Sequence, residues 1–313
     1  MPLHQSSGRW RLGLALSLLT VFLWGILPIA LAVTLQVLDV YTVTWFRFVV
    51  SFGLLAIYLA ARQQLPPLEK LRSISGKLLA IAIIFLAINY VLFLEGVRQT
   101  SPSNAEVLIQ LAPVSLGLGA LVIFKERYTL RQWAGLGILT LGFALFFHEQ
   151  LRVLVTAPKN YLIGSGLTLI AAVAWAIYGL AQKQLLQKLS SFHIMLLLYG
   201  GCGLIYTPLA SPQKLLTLSP LHWGMLIFCG LNTLIAYGAF AESLEHWEAS
   251  RVSAVLALAP IVTLIAMEVV SLLVPNLIAP ENITVLGVVG AFLVVAGSMA
   301  IALGNKKAKV MEN

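Results

Sequence analysis

Three charged side chains lie inside otherwise apolar stretches of the sequence, and they are the first candidates for chemistry. They are Arg47, Glu106 and Glu268. A guanidinium in apolar surroundings needs an anion from the protein or from a bound molecule, unless it extends outward to water. Glu268 is the first internal candidate because its depth in its stretch matches that of Arg47, and Glu106 is the second. We expect a bound carboxylate to compete for Arg47, and protonation of Glu268 to release it.

Polar and aromatic side chains recur in these stretches at helical spacing, where residues i, i+3, i+4 and i+7 share a face. These faces predict one amphipathic chamber. Its expected lining is Trp24, Arg47, Asn89, Tyr90, Glu106, Gln110, Trp175, Tyr178, Asn232, Tyr237, Ser253 and Glu268. Three alternatives stay open: the aromatic residues anchor at a membrane surface, the serine bonds its own helix, and Pro113 and Pro260 only kink their helices.

Residues that would support catalysis or metal binding are sparse in the sequence. Asp39 is the only aspartate, and the five histidines show no metal-ligand spacing. A GxxxxGK phosphate loop is missing, because Leu71 stands where the first glycine would precede Gly76 and Lys77. We therefore expect no enzyme activity, no bound metal and no cofactor.

The composition indicates that lipid surrounds most of the protein. Of the 313 residues 59% are hydrophobic and 10% charged, with a mean hydropathy of +0.92. A soluble domain carries about 25% charged residues. The net charge of +8 is assigned to membrane topology and not to nucleic-acid binding.

Ten apolar stretches approach the length of about 20 residues that a bilayer-spanning helix needs. With the amino terminus inside, fifteen Lys and Arg residues fall on the inner side and four outside, with Arg47 inside a helix. This asymmetry predicts an all-α, multi-pass protein of the cytoplasmic (inner) membrane, with ten transmembrane helices and both termini cytoplasmic. The stretches lie near 11–33, 41–61, 77–95, 104–124, 131–147, 161–182, 192–209, 221–244, 250–274 and 283–303.

The two halves of the chain, 11–147 and 161–303, resemble each other. Tyr90–Pro113 aligns without a gap on Tyr237–Pro260, with seven of 24 positions identical. Five helices per half is an odd number, so the second half is inverted relative to the first. Inverted repeats are typical of secondary transporters, which bind a small molecule near the bilayer midplane and open alternately to either side. A membrane-embedded enzyme or a non-transporting scaffold is the alternative.

Glycines also repeat between the halves. Gly135 and Gly142 are seven residues apart, as are Gly290 and Gly297. Such glycines permit close helix packing, either within the chain or between protomers of a homo-oligomer.

The order of short motifs resembles that of the EamA-type branch of the drug/metabolite transporter superfamily. The matching residues are Trp24-Gly25, Arg47-Phe48, Pro113 followed by Lys125-Glu126-Arg127, and then Gly135 and Gly142. The second half departs from the pattern, because the usual glutamate at the end of helix nine would fall near Leu273. The resemblance implies an exporter or exchanger of amino acids or other small metabolites.

The charge asymmetry makes a direct prediction about topology. Reporter fusions at residue 313 should report a cytoplasmic carboxyl terminus, and fusions in the 148–160 loop should report the periplasmic side. A periplasmic signal from residue 313 would contradict both the ten-helix count and the inverted repeat.

Overall fold

The computed structural model describes residues 9–67, 69, 71, 74–112, 115, 129–154, 159–185, 187–247, 252, 255–278 and 284–303. Within these ranges the chain is all-α, as expected, with a 3-10 helix at Pro212–Thr217 and no strand. The α-helices are α1 (Trp10–Thr34), α2 (Val40–Ala61), α3 (Gly76–Gln99), α4 (Pro102–Leu108), α5 (Leu130–Leu154), α6 (Lys159–Leu185), α7 (Ser191–Tyr206), α8 (Pro220–His246), α9 (Ala259–Leu273) and α10 (Val285–Leu303).

Five of these helices are long and apolar enough to cross a membrane. They are α1, α2, α3, the Asn160–Gln182 part of α6 and the Pro220–Phe240 part of α8. Shorter apolar helical segments lie in α5, α7, α9 and α10. Most of the expected 104–124 stretch lies outside the described residues.

Polar side chains set the starts of several helices. Asp39, Ser75, Ser101, Ser190 and Ser219 each accept a hydrogen bond from the backbone N–H three residues later. These bonds satisfy amide groups that the first helical turn leaves without a partner. The chain can therefore turn sharply between antiparallel helices.

The helices of the two halves pair reciprocally across the centre. Helix α2 packs against α7 and α5 against α10, so that equivalent helices meet. Helix α4, which precedes the interruption of the fourth helix in the first half, packs against α9, which follows the interruption in the second half. The first helix of each half packs against the third helix of the other, which pairs α1 with α8 and α3 with α6. A pseudo-two-fold axis between the two halves explains this pattern. The rotation superposes each helix of one half on its equivalent in the other, so it superposes the α1–α8 pair on the α6–α3 pair.

Hydrogen bonds between side chain and backbone repeat the same symmetry. The Ser51 hydroxyl donates to the Gly230 carbonyl at 3.3 Å, and the Cys202 thiol donates to the Ile83 carbonyl at 3.5 Å. Ser51 and Cys202 coincide when the residues preceding α2 and α7, Asp39 and Ser190, are superposed. Ile83 and Gly230 coincide when Tyr90 is placed on Tyr237. The two bonds are therefore equivalent, which fixes the register between the halves.

The repeated glycines join α5 to α10 within one chain. A Cβ atom on Gly142 would lie 2.5 Å from the Val294 nitrogen and 2.8 Å from the Gly290 oxygen. A Cβ atom on Gly135 would lie 2.9 Å from the Gly297 oxygen. These crossed contacts require that α5 and α10 run antiparallel with their backbones in close contact.

The fourth helix of each half is interrupted at an equivalent place. Helix α4 ends at Leu108, where the Gln110 N–H bonds to the carbonyl three residues earlier. The Leu258 N–H makes the same three-residue bond just before α9 begins. Pro113 and Pro260 follow these turns at matching positions in the sequence, and proline disfavours helical continuation before it.

Helices α2 and α7 are tied together at both ends. The Ser211 N–H donates to the Thr42 hydroxyl at 2.9 Å near the start of α2, and His193 Nε2 lies 2.8 Å from the Gln64 carbonyl beyond its end. An ion pair between Lys214 and Asp39 at 3.0 Å strengthens the first tie. Burial raises the pKa of Asp39, but hydrogen bonds from Thr42 and Lys214 lower it more, so its pKa lies below the ordinary value.

The glycine contact of α5 and α10 predicts a difference between two alanine substitutions in α5. Gly142→Ala should lower the free energy of unfolding by about 1–3 kcal/mol, because the new methyl group collides with backbone atoms. Gly137→Ala is the matched control, since beyond its own helical turns no atom of the described residues lies within 4 Å of its Cβ position. Thermal unfolding in detergent micelles measures both. Equal midpoints for the two variants would contradict the described packing.

Candidate functional site

Arg47 lies in the interior of the bundle, where α2 faces α8 and α3. Its side chain is only 3% exposed. Its Nε donates a 3.0 Å hydrogen bond to the Thr233 hydroxyl of α8, and its guanidinium carbon lies 4.6 Å from the centre of the Tyr90 ring. A cation over an aromatic face is attracted by the ring quadrupole. The guanidinium is therefore held in one plane by two neighbouring helices.

A group of hydroxyl-bearing side chains surrounds this cation. The Thr233 hydroxyl donates to the Cys229 carbonyl of its own helix, and the Tyr199 hydroxyl of α7 donates to the Thr233 carbonyl at 3.1 Å. The Tyr237 side chain interacts with that of Tyr90. We call Arg47, Tyr90, Tyr199, Thr233 and Tyr237 the Arg47 cluster. Its members come from α2, α3, α7 and α8, so both halves contribute.

Two tryptophans pack near the cluster and, like Tyr237 of the cluster itself, keep part of their surface accessible. We call Trp24, Trp175 and Tyr237 the aromatic wall. Trp24 of α1 packs edge-on against Tyr237 with ring centres 5.3 Å apart, and Trp175 of α6 also interacts with Tyr237. Each of the three is half-buried. The structure thus brings together five of the residues expected to line the chamber: Trp24, Arg47, Tyr90, Trp175 and Tyr237.

Other expected lining residues cross-link helices. Asn89 Nδ2 donates to the Ala171 carbonyl of α6 at 2.9 Å, and Asn232 Nδ2 donates to the Leu23 carbonyl of α1 at 2.6 Å. Tyr178 is buried, with its ring 6.3 Å from that of Trp175 and its hydroxyl 4.0 Å from the Met195 sulfur. The asparagine amides thereby stabilise the exchanged helix pairs, α3 with α6 and α8 with α1.

Glu106 and Gln110 lie at the interrupted fourth helix. Glu106 belongs to α4, and Gln110 lies in the turn that follows it. Both are buried. Among the described residues neither an ion pair nor a hydrogen bond reaches the Glu106 carboxyl group. A carboxyl group in such surroundings is costly, and it is a candidate for binding a cation or a proton.

The expected partnership of Arg47 with Glu268 is not formed. Glu268 is exposed on the outer side of α9, whose buried face contains Pro260, Thr263 and Met267. The prediction that Ser253 and Glu268 line one chamber assumed an uninterrupted helix, whereas a three-residue turn at Leu258 precedes α9. Ser253 itself lies outside the described residues. Glu106, the second candidate, makes no ion pair with Arg47 within the described ranges either.

The predicted lining did not include three residues that contact Arg47 or the side chains around it. Thr233 lies four residues before Tyr237, so the same helical face could have indicated it. Tyr199 and Phe48 are equivalent when the starts of α7 and α2 are superposed, and they pack against each other with ring centres 6.1 Å apart. Phe48 also packs on Tyr90 at 4.5 Å. That equivalence becomes visible only when α2 and α7 are aligned, which their sequences alone barely permit.

Nearly the whole chain is similar to known membrane transporters. The chain matches the EamA-like transporter family over residues 11–148 and 162–303. It is 40% identical over 299 residues to the "uncharacterized inner membrane transporter YhbE" of Escherichia coli K12, covering 94% of this chain and 92% of that protein. An "uncharacterized transporter" of Haemophilus influenzae is 36% identical over 295 residues, covering 94% and 96%.

More distant similarities extend over the same length. A "probable amino-acid metabolite efflux pump" of Salmonella typhimurium is 26% identical over 300 residues, covering 90% of this chain and 92% of that protein. A protein of known crystal structure superposes with a TM-score of 0.62 at 15% identity, covering 93% of this chain and 97% of that one. At this identity the superposition supports the fold alone.

Proposed function

The chain belongs to the EamA-like transporter family, and we propose that it is a secondary transporter that exports or exchanges small metabolites such as amino acids. It is a multi-pass protein of the inner membrane, and its family and relatives are transporters rather than enzymes. The observation that carries the proposal is the position of the Arg47 cluster. Four helices from both repeats meet there, as expected for a site reached alternately from either side.

We propose that the ten helices cross the membrane, with the second repeat inverted and both termini cytoplasmic. The reciprocal helix pairs and the antiparallel contact of α5 with α10 support this arrangement. The distribution of Lys and Arg supports it independently, since positive residues accumulate in cytoplasmic loops.

Alternating access needs some helices to move while others stay fixed. Helices α2 and α7 are hydrogen-bonded to each other's flanking loops at both ends, so we assign them to the fixed part. The interruptions at Gln110 and before α9 are the natural hinges, because three-residue turns within a helix tolerate bending. The moving parts would then close over the Arg47 cluster from one side at a time.

Small metabolites with an apolar body fit the aromatic wall best. Half-buried Trp24, Trp175 and Tyr237 offer ring faces without fixed charge. The alignments with two relatives named "probable amino-acid metabolite efflux pump" cover 90% and 95% of this chain. Amino acids combine an apolar side chain with a carboxylate and an ammonium group, and they are therefore the first class to test.

Glu106 is the group we propose for coupling or for cation binding. It is 6% exposed and lacks a cation partner among the described residues. Uptake of a proton, or contact with the ammonium group of an amino acid, would offset the cost of its charge. Glu268 no longer suits this role, because it faces away from the interior.

Flux in sealed vesicles distinguishes the transporter from a membrane-embedded enzyme or a scaffold. Liposomes containing the purified protein would be loaded with an equimolar mixture of the twenty amino acids, and the outside solution followed by mass spectrometry. Protein-dependent release of one or more unmodified amino acids supports transport. Retention of all of them would contradict amino-acid export, and chemically altered products would favour the enzyme.

The two glutamates provide a matched pair of variants for the same assay. Glu106→Gln should lower the release rate by about tenfold or more, since a hydrogen bond to a charged group contributes about 1.5–3 kcal/mol. Glu268→Gln removes a carboxylate from an exposed position and should leave release unchanged. Comparable rates for Glu106→Gln and the wild type would exclude a role for Glu106 in coupling or cation binding.

A further inference from the structure

Arg47 has the geometry of a binding group with free donors. Its only hydrogen bond to the described residues uses Nε. The two terminal amino groups of Arg47 donate to no acceptor among the described residues. They also do not belong to the fully buried side-chain nitrogen and oxygen atoms without a hydrogen-bond partner. They therefore reach accessible space although the side chain as a whole is buried. A guanidinium held by Nε presents these amino groups as a planar fork that suits a carboxylate.

No described carboxylate neutralises this charge. Asp39 forms an ion pair with Lys214 and Glu95 forms one with Arg98, while Glu242 is exposed and lies 3.7 Å from His246. Glu69 and Glu268 are also exposed, and Glu106 makes no ion pair with a described residue. A buried, unpaired cation costs several kcal/mol. An anion that enters the protein would offset this cost.

The symmetry of the fold shows that packing does not require the charge. The positions equivalent to Arg47 and Thr233 in the opposite halves are Leu198 and Leu86. Both leucines are fully buried in one apolar cluster, at 0% and 1% exposure. The same backbone arrangement thus accepts an apolar contact at this level. Arg47 and Thr233 take the positions that two leucines occupy at the symmetry-related place, so the two halves differ here by one charged residue.

We propose that Arg47 binds the carboxylate group of the transported molecule, with Thr233 and Tyr90 as positioning residues. This inference rests on the proposed transport function and specifies its substrate class. The carboxylate would accept two parallel hydrogen bonds from the terminal amino groups, while the remainder of the molecule packs on the aromatic wall. Molecules of the same shape that lack the carboxylate are not substrates.

The test compares amino acids with their carboxamides. Liposomes with wild-type protein or Arg47→Leu would be loaded with either the twenty amino acids or the corresponding amides, and release measured by mass spectrometry. Wild-type protein should release one or more amino acids without releasing their amides. Arg47→Leu should lower that release about a hundredfold, as expected for the loss of two charge-assisted hydrogen bonds. Its thermal midpoint should equal or exceed that of the wild type, because leucine occupies the equivalent position.

Several outcomes would overturn the assignment. Equal release of acids and amides, or undiminished release by Arg47→Leu, excludes carboxylate binding at Arg47. If Arg47→Leu does not fold, Arg47→Lys decides: it keeps the charge, and a KM equal to that of the wild type would overturn the proposal, whereas a raised KM supports it. Failure of the wild type to release any amino acid would instead overturn the proposed function.

The positioning residues give a second measurement. Thr233→Val removes the acceptor of Arg47 Nε and should raise KM about tenfold with little change in kcat, and Thr233→Ser should restore it. Tyr90→Phe keeps the ring under the guanidinium and should raise KM less than Tyr90→Leu, which removes the ring. An equal effect of the Thr233→Val and Thr233→Ser substitutions would mean that Thr233 contributes only packing.

Discussion

The contact of the Arg47 guanidinium with Thr233 and Tyr90 is the interaction to which the rest of the centre is adapted. A positive charge at bilayer depth is expensive, so every neighbouring group must either stabilise it or keep it accessible to an anion. The hydroxyl of Thr233 and the ring of Tyr90 orient the cation without neutralising it. A carboxylate in their place would form a closed ion pair with no vacancy for a ligand. Orientation without neutralisation is what a carboxylate-binding group requires.

The pseudo-symmetry of the fold explains how such a charge can be tolerated. The reciprocal helix pairs, the equivalent bonds of Ser51 and Cys202, and the crossed glycine contacts supply packing that does not depend on Arg47. Leu198 and Leu86, the symmetry equivalents of Arg47 and Thr233, are buried in one apolar cluster. The pseudo-symmetric helix packing is thus retained, and the two halves differ at the position of Arg47.

The sequence predicted the helical class, the described helices other than the interrupted fourth one of each half, and three of the five cluster residues, because apolar length, charge asymmetry and repeated motifs are local or additive signals. Helical spacing indicated Trp24, Tyr90, Trp175 and Tyr237 as lining residues, and the alignment of the two halves made Tyr90 and Tyr237 equivalent. The partner of Arg47 was not predictable in this way. The depth estimate that favoured Glu268 did not indicate which face of α9 carries this residue, and Glu268 lies on the exposed face. Thr233 contacts Arg47 across 186 positions of sequence, so only the packing of α2 on α8 identifies it.

The most direct test of alternating access at the Arg47 cluster is the accessibility of one introduced thiol. Tyr237→Cys would place a reactive group on the aromatic wall, whereas the native Cys202 and Cys229 are buried. A membrane-impermeant thiol reagent would be added to the cytoplasmic or the periplasmic side of oriented vesicles. We predict labelling from both sides, with protection by transported amino acids and none by their amides. Labelling from one side only, or protection that does not distinguish acids from amides, would contradict it.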